Sequence, residues 1–252
     1  RRRRRRGRRP RRNGCPSGVR APAKLPWAGA VGRAERVDVH RLSWSGSALI
    51  ARRPVVYALD TPARAHRDLR SALIVADPST DHLAPLPHSR REAKLVENVL
   101  QKRGWKVQRW VGDDAKRTNI VAALPNTALF HFAGHAQAAA AVFGPALALT
   151  DEQRLTVADV LALPRSPDIA LLSACETGAE ESPRFGADLG VGQAFVLAGT
   201  RLAVATTRLV EDRTAAEVGQ ALHLAQAYDV RRAAEVIARH GPAAAAFRIY
   251  VP

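Results

Sequence analysis

Two residues that follow apolar runs have the types and the spacing for nucleophilic chemistry. Cys175 follows "DIALLSA" (168–174), and His135 follows "ALFHFAG" (128–134). An imidazole beside a thiol raises the thiolate fraction and can donate a proton to a departing amine. A cysteine that served packing alone would fit better inside an apolar run than after it. The two residues therefore indicate a Cys-His dyad, and a structural thiol is the alternative that residue types and spacing leave open.

The separation of the two residues suits neighbouring strands of a parallel sheet. The two positions are 40 apart in sequence, with room for a single helix at "LTVADVLALP" (155–164). Because adjacent parallel strands lie about 4.8 Å apart, the loops at their carboxyl ends can meet. The Gly134–His135 turn would also present backbone N–H groups to an oxyanion. We therefore expect the dyad at the sheet edge where α/β proteins place their active sites.

The rest of the chain supplies the strands and helices that such a sheet needs. Short apolar or alternating runs predict strands within 71–79, 105–111, 128–134, 168–174, 200–207 and 245–251. Helical spacing and helix-ending residues predict helices within 88–104, 113–126, 155–164, 186–199, 211–226 and 230–241. This alternation predicts an α/β fold with a mostly parallel, about six-stranded central sheet, covered by helices on both faces.

The positive charge is concentrated at the N-terminus. Residues 1–20 hold 11 of the 39 lysines and arginines and no acidic residue, while the whole chain has a formal charge of +16. A segment that repels itself cannot bury a core, so residues 1–35 are predicted to be a disordered Arg-rich tail or linker, and 36–252 to be the globular domain. Nucleic-acid binding through the tail is an alternative, which the absence of aromatic residues in the arginine run disfavours.

The numbers of cysteine and methionine residues indicate the cellular compartment and whether the chain is complete. Cys15 and Cys175 are too few for a disulfide framework, which predicts a free Cys175 and a reducing, cytoplasmic compartment. No apolar stretch reaches the roughly 18 residues of a membrane span, and the N-terminus lacks the apolar core of a signal peptide. The chain contains no methionine, so we expect it to be a piece of a longer protein or a chain whose true start is missing.

Several sequence blocks together resemble the CHAT domain, a bacterial caspase-like cysteine peptidase domain often found C-terminal to helical repeats. The blocks with candidate chemistry are "LFHFAGHA" (129–136) and "LLSACETG" (171–178), with "RLTVADVLAL" (154–163) between them. A strand, a proline turn and a helix precede them in "LIVADPSTDHLAPLPHSRREAKLV", and "VGQAFVLAGTRLAVAT" follows. The likeness extends over about residues 36–252.

This resemblance implies a caspase-like three-layer sandwich and hydrolysis of a protein or peptide substrate. It implies that Cys175 is the nucleophile, that His135 is the general acid and base, and that the backbone N–H groups of Ala136 and Cys175 form the oxyanion hole. No metal and no cofactor are expected. A helical-repeat sensor domain or an activator protein is the expected partner, and no membrane partner is expected.

Two departures from the family pattern bear on activity and specificity. Ala136 stands where the family usually has glycine, and an L-residue there would be strained by roughly 1 kcal/mol if φ were positive. A spoiled oxyanion loop would leave a pseudo-enzyme that acts as an interaction module, which is the alternative function. The second departure follows the fifth strand, where the family's "LW" with a following "VDD" is "TRLVED" (207–212) here. This segment is expected to line the substrate pocket: Arg208 would favour an acidic side chain, and Glu211 or Asp212 a basic one. Asp77, at another strand end, is a weaker candidate.

His131 is expected to have a structural role. It lies inside a predicted strand and alternates with Phe130 and Phe132. We therefore expect it to be packed or hydrogen-bonded in the core. A metal pair of His131 and His135 would need a helix to align both rings, and this segment is predicted to be a strand. Glu176 and Thr177 are expected to fix the turn after Cys175.

Overall fold

A computed structural model of the chain describes residues 56–62, 64–65, 69–137, 144–174 and 189–252. All of them belong to the compact unit Val39–Pro252. The predicted tail (1–35) lies outside the described residues, as do Cys175 and the turn residues Glu176 and Thr177.

The described strands form one large and one small sheet. The strands are β1 (Val56–Ala58), β2 (Ser71–Ala76), β3 (Lys106–Val111), β4 (Leu129–Ala133), β5 (Ala136–Gln137), β6 (Ala146–Ala148), β7 (Arg154–Thr156), β8 (Ile169–Ser173), β9 (Leu202–Thr206) and β10 (Phe247–Val251). Seven of them form a sheet in the order β1-β10-β9-β8-β4-β2-β3, in which only β10 and β9 pair antiparallel. Strands β5, β6 and β7 form a small antiparallel sheet.

Six α-helices within the described residues cover the large sheet on both faces. They are α1 (Pro87–Lys102), α2 (Arg117–Ala123), α3 (Val157–Leu161), α4 (Val191–Leu197), α5 (Asp212–Leu224) and α6 (Val230–Arg239), with short 3₁₀ turns at 112–114, 124–126 and 241–244. Helices α1, α5 and α6 share one apolar core with the sheet, and α2, α3 and α4 share the other. None of the helices in the described ranges has the length and apolarity to cross a bilayer.

The predicted three-layer α/β fold is confirmed, with one more strand than expected. All six predicted strands are present in the large sheet. The additional strand is β1, a three-residue segment that pairs parallel with β10 at the edge. The small sheet was also missed. Because β1 and the strands of the small sheet are only two or three residues long, they have no periodicity of their own, and tertiary pairing creates them.

Local sequence signals explain how two of the helices begin and end. Helix α1 starts with Pro87 in its first turn, and the chain turns away after it at Gly104, which has a φ of +77° that glycine adopts without strain. Helix α3 has the predicted capping box, because the Thr156 hydroxyl accepts from Asp159 N and the Asp159 carboxylate accepts from Thr156 N.

Candidate active site

The carboxyl ends of β2, β4 and β8 lie side by side at one edge of the sheet. Strand β4 pairs parallel with both β2 and β8, and Ala133 is aligned with Ala76 on one side and with Ser173 on the other. His135 follows β4 by two residues. Cys175 follows β8 by two residues and lies outside the described residues. The expected adjacency of the two strands is therefore confirmed, and the contact between His135 and Cys175 remains a prediction.

Hydrogen bonds from both sides fix the last described residues before Cys175. Ala174 is buried, and its carbonyl accepts from the hydroxyl of Thr206 at the end of β9. The Ser173 hydroxyl points to the opposite side of the strand and donates to the Glu92 carboxylate at 3.5 Å. The strand that leads to the cysteine is thus held by β9 and by α1.

A backbone carbonyl holds the His135 ring. The Nε2 atom of this half-buried residue lies 2.8 Å from the carbonyl oxygen of Ala84, in the loop between β2 and α1. Because a carbonyl oxygen only accepts hydrogen bonds, Nε2 must carry the proton. In the neutral ring, Nδ1 is then the unprotonated nitrogen. This arrangement leaves Nδ1 to act as a base or, once protonated, as an acid.

Ala136 is free of the strain that a positive φ would have caused. It begins β5 and is aligned with Leu147 of β6, so its backbone is extended, and it is absent from the residues with positive φ in the described part of the chain. Ala148 N donates to His135 O at 2.9 Å, which makes 135 and 148 the hydrogen-bonded pair of the ladder. The next pair, 136 and 147, then points its N–H groups outward. The Ala136 N–H therefore faces away from β6.

Asp77 joins three segments at the end of β2. It is 3% exposed and has a φ of +42°. Its N–H donates to Ala133 O at 2.8 Å, and its carbonyl accepts from Gly112 N at 3.1 Å. Its carboxylate accepts from Leu86 N at 3.0 Å and forms an ion pair with Arg90. Asp77 was predicted as a weaker candidate for the substrate pocket, but both of its carboxylate oxygens bind groups of the protein itself.

Asp212 caps a neighbouring helix. It is the first residue of α5, and its carboxylate accepts from His88 N at 2.9 Å, from Ser89 N at 3.0 Å and from the Ser89 hydroxyl at 2.8 Å. Since Leu86 provides no side-chain cap for α1, Asp212 satisfies N–H groups that the helix leaves unpaired. The predicted pocket residues Arg208 and Glu211 differ from it, because both are exposed on the segment between β9 and α5.

A buried polar cluster lies beneath the site. The sequence predicted the burial of His131 but not the cluster to which it belongs. The cluster consists of Glu92, His131, His223 and Tyr228, with Ser173 beside Glu92. Glu92 Oε1 lies 3.1 Å from His131 Nε2, His131 Nδ1 lies 3.3 Å from His223 Nε2, and His223 Nδ1 lies 2.9 Å from the Tyr228 hydroxyl. The first three residues are fully buried. Gly219 makes room for the cluster, because a Cβ there would collide with the Glu92 carboxylate.

Burial dominates the electrostatics of this cluster. It raises the pKa of Glu92, an effect that His131 partly offsets and that Asp212 reinforces. It lowers the pKa of His223 well below the ordinary value, with the charges of His131 and Arg103 acting in the same direction. It also raises the pKa of Tyr228. The packed, hydrogen-bonded role expected for His131 is confirmed. Glu92 could have been recognised from its position four residues before Val96 on the buried stripe of α1.

The comparison with protein families identifies the domain. The CHAT domain model matches residues 23–236. The chain belongs to the CHAT domain family. No curated protein matches the sequence significantly.

Solved structures of other proteins are similar to this fold. The Arg-specific cysteine proteinase gingipain R (RgpB) of Porphyromonas gingivalis matches 84% of this chain with a TM-score of 0.54 and 13% identity. Separase in the Saccharomyces cerevisiae separase–securin complex matches 76% of it with a TM-score of 0.51 and 13% identity. The match covers 51% of the gingipain chain and 12% of the separase chain. The caspase-like fold that the sequence predicted is therefore confirmed, and the likeness at this identity concerns the fold.

Proposed function

We propose that this chain is a cysteine endopeptidase that hydrolyses peptide bonds of a protein substrate through Cys175 and His135. The observation that carries the proposal is the contact between His135 Nε2 and the Ala84 carbonyl, which leaves Nδ1 available at the edge of the sheet. Strand β8, which leads to Cys175, ends beside β4 at that edge. Membership of the CHAT family and the fold of cysteine peptidases support the same assignment.

The first half of the reaction is acyl transfer to sulfur. Nδ1 of His135 takes the thiol proton, and Sγ of Cys175 attacks the carbonyl carbon of the scissile bond. The N–H groups of Ala136 and Cys175 stabilise the oxyanion, and the outward direction of the Ala136 N–H supports its part in this role. The C–N bond breaks as the amine takes the proton from Nδ1, which leaves a thioester on Cys175.

The second half returns the enzyme to its starting state. Nδ1 of His135 accepts a proton from water, whose oxygen attacks the thioester carbonyl. The C–S bond breaks, the carboxylic acid product leaves, and Sγ recovers the proton. The hydrogen bond from Nε2 to Ala84 O persists throughout, because the proton on Nε2 takes no part in either transfer.

The alternative function, a pseudo-enzyme used as an interaction module, depended on a strained Ala136. The extended backbone of β5 removes that reason. Substrate preference is a further part of the proposal: Arg208 favours an acidic side chain and Glu211 a basic one. Positional scanning of peptides with Arg208→Ala and Glu211→Ala shows which of the two charges selects the substrate. A helical-repeat sensor or an activator protein is the proposed regulator.

The test measures how fast Cys175 is alkylated and whether peptides are cleaved. Wild type, Cys15→Ala, Cys175→Ala and His135→Ala are treated with iodoacetamide over a range of pH, and mass spectrometry of proteolytic fragments identifies the modified cysteine. We expect the reaction at Cys175 to persist at pH 6 in wild type and Cys15→Ala, and to fall about 10- to 100-fold in His135→Ala. We expect only wild type and Cys15→Ala to cleave a peptide library. Equal alkylation with and without His135, and no cleavage, would assign the chain to the interaction modules.

A further inference from the structure

The loop between β2 and α1 carries the carbonyl that holds His135, so whatever fixes this loop also fixes the imidazole. Ala84 is exposed on the loop, and its oxygen lies 2.8 Å from Nε2. An exposed loop of about ten residues would not keep one carbonyl in such a position unless contacts elsewhere restrain it. The structure contains those restraints at both ends of the loop.

The start of the loop is attached to the strand that leads to His135. Asp77 N donates to Ala133 O at 2.8 Å, two residues before His135. Next to it, Pro78 packs against Gly134, where a Cβ would lie 3.0 Å from Pro78 Cδ and 2.8 Å from the Phe132 ring. The first two loop residues therefore have a fixed position relative to the backbone of the histidine turn.

The end of the loop is attached to the same residue. The Asp77 carboxylate accepts from Leu86 N at 3.0 Å, two residues after Ala84, and pairs with Arg90 in the first turn of α1. This carboxylate is nearly inaccessible to water, so the hydrogen bonds it accepts are charge-assisted and poorly replaced by solvent. Asp77 thus bridges β4 and the far end of the loop.

We propose that Asp77 is a positioning residue that holds the Ala84 carbonyl on Nε2 of His135 and thereby keeps Nδ1 as the unprotonated nitrogen of the neutral ring. Its effect on the reaction rests on the proposed peptidase function, and its effect on the ring does not. The role replaces a substrate-binding one for Asp77, because a carboxylate with 3% of the residue exposed and both oxygens engaged faces the protein.

The test separates the carboxylate from the backbone. Asp77→Asn keeps a side chain that tolerates the φ of +42° and can still accept from Leu86 N, whereas Asp77→Ala removes every side-chain contact. Arg90→Ala removes the ion pair alone. Asp81→Asn is the matched control, because Asp81 is an exposed acidic residue of the same loop. Thermal unfolding identifies the variants that fold. If Asp77→Ala does not fold, the two single variants Asp77→Asn and Arg90→Ala are compared with wild type instead.

The first readout is the tautomer of His135, observed by ¹⁵N NMR of the full chain with labelled histidine and assigned with His135→Ala. We expect the Nε2-protonated form in wild type and Asp81→Asn, a mixture of tautomers in Asp77→Ala, and partial recovery in Asp77→Asn. An unchanged tautomer in Asp77→Ala would overturn the proposal. This measurement keeps its meaning if the chain cleaves no peptide.

The second readout is the rate of reaction at Cys175. We expect alkylation near neutral pH and kcat for peptide cleavage to fall roughly 10- to 100-fold in Asp77→Ala, with KM changed less than about twofold. Asp77→Asn should recover part of the rate. A rise in KM for one class of charged peptide with kcat unchanged would assign Asp77 to the substrate pocket and overturn the positioning role.

Discussion

The two faces of the central sheet are built from different kinds of residue, and β4 shows the difference within five positions. Phe130 and Phe132 point to the face covered by α2, α3 and α4, where Phe195 of α4 packs against Phe130 with ring centroids 5.5 Å apart. His131 points to the face covered by α1, α5 and α6, where it contacts Glu92 and His223. One face is packed with phenylalanine rings, and the other encloses a buried chain of titratable groups within its apolar core.

The comparison indicates that one face contributes mainly to stability and the other mainly to the relative positions of helices and strands. Aromatic burial stabilises a fold without selecting one arrangement of its elements. Buried polar groups cost free energy unless each finds its partner, so they favour the arrangement in which all partners meet. On the polar face, Arg103 also donates to the carbonyl groups of His223 and Leu224, while Asp212 caps the opposite end of α1. We infer that this face sets how α1 and α5 lie against β4 and β8, the strands that lead to the dyad.

Truncation of the aromatic face should give the largest loss of stability. Phe130→Ala leaves a cavity beside Phe132 and Phe195, and we expect it to lower the free energy of unfolding by about 3–5 kcal/mol. Chemical denaturation at pH 5 and pH 8 should show the same loss, because the ring contacts rings that do not titrate. Phe130→Leu, which fills most of the space, is the control. A loss under about 1 kcal/mol would contradict the role assigned to this face.

Replacement of the buried carboxyl should cost less, and its cost should depend on pH. Glu92→Gln keeps the shape of the side chain and removes the titratable proton, and we expect a loss of about 1–3 kcal/mol at pH 5. Because burial raises the pKa of Glu92, the folded protein binds this proton more tightly than the unfolded chain does. Its contribution to stability is therefore complete below the unfolded pKa of about 4.3 and is lost as pH rises through the folded pKa.

The sign of this dependence is what the measurement tests. Glutamine does not titrate, so the deficit of Glu92→Gln relative to wild type should be greatest at acid pH and should shrink as pH rises to 8. Denaturation of both proteins at several pH values gives the deficit directly. Glu97→Gln, an acidic residue on the outer side of α1 that pairs with Arg109, is the matched control. A deficit that grows with pH would mean that the ionised carboxylate is the stabilised form.

Local patterns in the sequence predicted the strands and helices better than the contacts between them. Apolar spacing was enough for six strands of the large sheet and for α1, and the types of Thr156 and Asp159 were enough for the capping box of α3, because these depend on residues close together in sequence. The cluster of Glu92, His131 and His223 depends on contacts between residues up to 92 positions apart, which periodicity does not encode. For the same reason the sequence predicted His135 as a chemical group and did not predict the Ala84 carbonyl, whose role comes from its position alone.

Substitution of Asp212 should have the smallest effect on stability. It also distinguishes most clearly between a structural and a substrate-binding carboxylate. Asp212→Ala removes the acceptor for His88 N and Ser89 N, and we expect a loss of about 1 kcal/mol, the usual value of a helix cap. The loss stays within this range because His88 is only half-buried, so water can replace the carboxylate at that N–H, although Ser89 is buried. Glu217→Ala, at an exposed acidic residue of the same helix, should change stability by less than about 0.5 kcal/mol.

The peptide preference of Asp212→Ala, measured by positional scanning, should stay as in wild type, while Arg208→Ala or Glu211→Ala alters it. If Asp212→Ala instead shifted that preference and left stability unchanged, its carboxylate would belong to the substrate pocket after all.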